Sequence, residues 1–76
     1  RVMRIRTSEY GIGWDQFVEL KIYDILGIEV ETLVYEEKPK GNYQVIWNAS
    51  GFSSGIYIYQ LKTGSNIQTR KMILLK

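Results

Sequence analysis

The sequence predicts a small all-β sandwich of about six to seven antiparallel strands. Three observations predict it. Apolar residues recur with a period of two along most of the chain. Gly, Pro, Asn and Asp punctuate these runs at short intervals. No stretch sustains a helical period: Ile22–Val34 is rich in Ile, Leu and Glu, but Gly27 and its β-branched neighbours argue against a helix.

Each element has its own signal. Glu9–Ile12 reads as a short first strand before a turn at Gly13–Gln16. In Phe17–Asp24, Val18, Leu20 and Ile22 alternate against Glu19, Lys21 and Tyr23, as in a half-buried strand. Asp24 opens and Gly27 closes a tight structural turn. A strand from Ile28 to Glu36 follows and ends before Pro39-Lys-Gly41, since Pro has no N–H for a ladder. Tyr43, Val45 and Trp47 alternate next. The connection Asn48–Ser54 leads into Tyr57, Tyr59 and Leu61, and Thr63-Gly-Ser-Asn66 turns the chain into a last strand, Ile67–Leu75.

The 76 residues suffice for one domain, and 45% hydrophobic content argues for a packed core. Without cysteine that core has no disulfide staple, and the redox compartment stays open. A net charge of +2 is too small to argue for nucleic acid. No apolar run approaches the ~20 residues of a membrane span, so no membrane insertion is expected. The chain opens on Arg1 rather than Met, which reads as processing or as the tail of a longer protein.

Catalytic chemistry finds little support. Without His or Cys there is no Ser-His-Asp or Cys-His site, and zinc lacks its preferred ligands. Asp24, Glu29 and Glu31 have no ordered spacing for calcium. No helix follows Gly11-Ile-Gly13 to make a phosphate cradle. The expectation is a non-enzyme without cofactor or metal. Asn48-Ala-Ser50 matches a glycan acceptor pattern, although Asn and Ser in a turn also serve their own backbone. The aromatics Tyr43, Trp47, Tyr57 and Tyr59 fall in phase with Val45 and Leu61, on the core face. Tyr23 and Tyr35 remain outside that set as sugar-stacking candidates. Ile46, Ile56 and Ile58 occupy the opposite phase, and the last strand is apolar on both faces, with Met72 and Leu74 on one and Ile67, Ile73 and Leu75 on the other. They are either scattered exposed residues or one contact surface.

Four motifs occur in order: Val18-Glu-Leu-Lys-Ile-Tyr-Asp-Ile-Leu-Gly-Ile-Glu-Val30, Gly41-Asn-Tyr-Gln-Val-Ile-Trp-Asn-Ala-Ser-Gly51, Ser54-Gly-Ile-Tyr-Ile-Tyr-Gln-Leu61 and Lys71-Met-Ile-Leu-Leu-Lys76. Together they resemble the C-terminal sorting domain of the type IX (Por) secretion system, type A. That family is similar in turn to the immunoglobulin-like domain of flagellar hook-capping proteins. The resemblance implies an immunoglobulin-like sandwich over residues 10–76, after a basic arm or linker at residues 1–9. It implies a sorting and anchoring module that takes an exported passenger across the outer membrane, with an extracellular or cell-surface destination.

The partner implied is the outer-membrane secretion machinery. Its implied contacts are Gly55, Tyr57 and the terminal residues Lys71, Met72, Ile73, Leu74, Leu75 and Lys76. The resemblance also implies a working role for the turn at Asp24 and Gly27. Family members usually open on an Asn-Pro-Phe-Asn-Pro segment, whereas Arg1-Val-Met-Arg-Ile-Arg6 stands here. An alternative follows from that basic arm: a homo-oligomeric fibre subunit whose neighbouring copies join through strand edges, with Arg4, Arg6, Ile46, Ile56 and Ile58 as the assembly surface.

Overall fold

The computed structural model describes residues 4–64 and 66–75, with the backbone alone for residues 4–9. Among these residues six strands run in chain order: β1 Arg4–Ile12, β2 Gln16–Asp24, β3 Glu29–Lys38, β4 Gly41–Asn48, β5 Gly55–Thr63 and β6 Asn66–Leu74. They form two antiparallel sheets, β1-β4 and β3-β2-β5-β6, arranged as a sandwich, with no helix among the described residues.

Alternation positions the core as the sequence predicts. Val18, Leu20 and Ile22 of β2 are fully buried, as is Trp47 of β4, while Ile46 beside it is exposed. One cluster gathers Ile22, Trp47, Ala49, Tyr57 and Leu74; the other gathers Ile12, Val18, Leu20 and Leu61. Leu33 and Tyr59 pack against both and join them into one core. Leu33 can do so because β3 carries an extra residue opposite the Leu20/Lys21 step of β2. That bulge turns Leu33 and its neighbour Val34 toward the same side.

Two features differ from the sequence reading. The first strand begins at Arg4 rather than Glu9, and Arg4, Ile5 and Arg6 pair with Asn48, Trp47 and Ile46 of the same chain. Alternating Arg and Ile is a strand pattern that the charge of the segment disguised. The Asn48–Ser54 connection also contributes to the core. Asn48 Oδ1 accepts from the N–H and hydroxyl of Ser50 at 3.2 and 2.8 Å, and the Phe52 N–H donates to the Ala49 carbonyl at 3.0 Å. This folded connection sets Phe52 on Trp47, ring centroids 5.0 Å apart.

Candidate functional site

The terminal strand β6 lies at one edge of the four-stranded sheet. Its nine pairs with β5 run from Thr63↔Asn66 to Gly55↔Leu74 without a register shift. Among the described residues the other long edge of β6 has no strand partner. Leu74 is 1% exposed and anchors the strand in the core, with half-buried Met72 beside it. Lys71 and Ile73 face solvent, and Leu75, just past the strand, is exposed as well.

Register brings the predicted segments to one end of this sheet. Asp24 pairs with Tyr57, and Gly55 with Leu74, so the Asp24–Gly27 turn, Gly55–Tyr57 and the end of β6 share that end. The turn is rigidly built. Asp24 Oδ1 accepts from the N–H groups of Leu26 and Ile28 at 2.9 and 3.0 Å, and the Gly27 N–H donates to the Asp24 carbonyl at 3.0 Å. Gly27 sits at φ 83°, where a Cβ would be strained. Ile25, Leu26 and Ile28 stand out into water around it. Sequence reasoning missed these three by treating Ile25 and Leu26 as turn alone and Ile28 as the start of the next strand. The available signal was three large aliphatics where turns ordinarily carry polar residues.

Other candidate residues have separate fates. Tyr57 is buried, and its hydroxyl donates to the Ser53 carbonyl at 2.7 Å, which ties the end of the Asn48–Ser54 connection to β5. Ile56 pairs with Ile73 and Ile58 with Lys71 on the outer face of the four-stranded sheet. Arg4, Arg6 and Ile46 belong to the other sheet, where Arg6 pairs with Ile46. The structure therefore does not bring the five assembly candidates together. Lys76 lies outside the described residues.

Charge divides between the two edges of the larger sheet. β3 carries Glu29, Glu31, Glu36 and Glu37; β6 carries Arg70 and Lys71. Glu29 meets Lys21 at 3.2 Å and accepts from the Thr32 hydroxyl. The hydrogen bond from Lys21 holds its carboxyl below the ordinary value, and the same bond raises Lys21. Glu36 meets Lys38 at 2.8 Å, which raises the Lys38 ammonium. Neither Arg70 nor Lys71 has an ion pair among the described residues.

Away from this edge, Tyr10 and Tyr43 stack with centroids 5.4 Å apart beside an open hollow of about 440 Å³. Burial raises the Tyr10 phenol. Phe17 and Tyr35 meet edge-on at 4.9 Å on the outer face of the larger sheet, another pair that the sequence reading did not single out. Among the described residues no group of three His, Cys, Asp or Glu side chains could hold a metal ion, and no helix is long and apolar enough to cross a membrane.

Comparison with known protein families matches residues 4–75 to the secretion system C-terminal sorting domain. No curated protein and no solved structure matches the chain. The match begins where β1 begins and covers every strand of both sheets. With the four ordered motifs and the two-sheet fold in place, the chain belongs to the secretion system C-terminal sorting domain family, the sorting signals of type IX secretion.

Proposed function

We propose that this domain directs an exported passenger across the outer membrane to the cell surface, and that the secretion machinery reads its terminal strand. The family match over residues 4–75 carries the reading. The structure supports the choice of strand: β6 is held by Leu74 at its end, yet keeps one backbone edge and the side chains of Lys71 and Ile73 outside. The Asp24–Gly27 turn frames the same end of the sheet and offers Ile25, Leu26 and Ile28 as an apolar flank.

The test is export of a fluorescent reporter fused upstream of the chain, in a host with the type IX machinery. The intact fusion is expected at the cell surface. Deletion of residues 71–76 is expected to trap it in the periplasm. Surface display that survives the deletion would overturn the assignment of recognition to the terminal strand.

A further inference from the structure

The sorting reading leaves open how an edge strand is recognised and what chemistry its partner has. The two edges of the four-stranded sheet are not equivalent. β3 is shifted in register at two places along β2, which twists and interrupts its free edge. Its Glu29 and Glu36 already have cationic partners. β6 is straight in register over nine residues, and its two cations are unmatched among the described residues. One edge is blunted and one is open.

Self-pairing does not suit the open edge. Two copies of β6 placed antiparallel about a two-fold axis would bring the Arg70-Lys71 pairs of both chains together near the centre, and like charges across a ladder are destabilising. Strand addition by a second copy through β3 would meet the bulged edge instead. An acidic strand from another protein meets neither obstacle.

We propose that the free edge of β6 accepts an extended, acidic segment of the secretion machinery as a fifth, antiparallel strand. The inference rests on the sorting function proposed above. Main-chain hydrogen bonds supply affinity in this mode, and alternate side chains supply specificity. On the outer face β6 presents Ile67, Thr69, Lys71 and Ile73 in order, and Arg70 lies on the opposite face in register with Tyr59. The complementary strand places apolar side chains opposite Ile67 and Ile73 and carboxylates opposite Lys71 and Arg70. Its two carboxylates are therefore adjacent, with an apolar residue two positions beyond one and three positions beyond the other.

The test uses the full 76-residue chain. Its probe is a capped nine-residue peptide with valine opposite Ile73 and Ile67, glutamate opposite Lys71 and Arg70, and threonine elsewhere. Titration is expected to saturate and to slow amide hydrogen exchange along β6. N-methylation of the peptide amides that face β6 is expected to abolish binding. The double variant Arg70→Glu/Lys71→Glu changes only exposed side chains. It is expected to weaken binding of this peptide at least about tenfold and to bind the lysine version of the peptide instead.

Three outcomes would each overturn the proposal: no saturation by the acidic peptide, equal binding of it by the charge-reversed variant, or a self-associated dimer that the peptide displaces. The reporter assay keeps the two readings apart. Lost peptide binding with export still dependent on residues 71–76 removes strand addition alone. Export indifferent to those residues removes the sorting role of β6 itself.

Discussion

At Gly27 a φ of 83° and an otherwise open surrounding separate backbone strain from side-chain collision. Gly27→Ala is expected to destabilise by about 1–2 kcal/mol, the penalty of holding an L-residue in the left-handed region. Gly13→Ala, also in open space but without a positive φ, is the control and is expected to leave the melting temperature unchanged. Thermal unfolding of the two variants checks the difference. The Lys21–Glu29 pair makes a second residue-scale prediction. Its carboxyl titrates below the ordinary 4.5 when folded, so its contribution is present above pH 4.5 and disappears as pH falls through the folded value. Both groups are solvated, so the effect is small and screened by salt. Glu29→Gln is expected to flatten the stability profile on the acid side of pH 4.5, read from urea midpoints at low ionic strength.

At the end of β6, adjacent leucines have opposite fates. Leu74 is 1% exposed against Trp47 and Tyr57, whereas Leu75 is 77% exposed. Leu74→Ala is expected to cost about 2–5 kcal/mol through the cavity it leaves. Leu75→Ala is expected to stay within about 0.5 kcal/mol. Urea unfolding of the two variants decides it, and a large loss for Leu75→Ala would mean that this side chain is covered in solution. The alternation that separates these residues was legible in the sequence, as it was for β2, β4 and β5, because a period of two is a local signal. The β3 bulge was not legible, since two-against-one pairing depends on the partner strand. Neither was the position of β6 at an edge. The same alternation would fit a central strand, and only the sheet order shows which backbone groups stay open. The isoleucine surface was half legible. Its phase was visible, but whether Ile46 joins Ile56 and Ile58 depended on which sheet holds β4.

For the whole molecule, the decisive question is where the folded unit begins. Reading Arg1–Glu9 as an arm predicts that a chain starting at Tyr10 keeps its stability. The strand order argues otherwise. Among the described residues β4 carries Trp47, the largest fully buried side chain, and pairs with no strand except β1. A cut before Tyr10 removes the pairs at Arg4, Ile5, Arg6, Ser8 and Glu9 and keeps only those at Tyr10, Gly11 and Ile12. The backbone of Trp47 then loses its partner Ile5 while its indole must still be held over Ile22 and Tyr57. At about 0.5–1.5 kcal/mol net for each ladder hydrogen bond, several lost bonds take away a large part of a stability of order 5 kcal/mol. A chain starting at Arg4 is expected to unfold like the full chain in urea. One starting at Tyr10 is expected to unfold at a clearly lower midpoint, or to lack a cooperative transition. Equal midpoints would return residues 4–9 to the linker. A lower midpoint would make β1 part of the sorting domain, so that a passenger must join the chain before Arg4 for β4, and the core that Trp47 fills, to form.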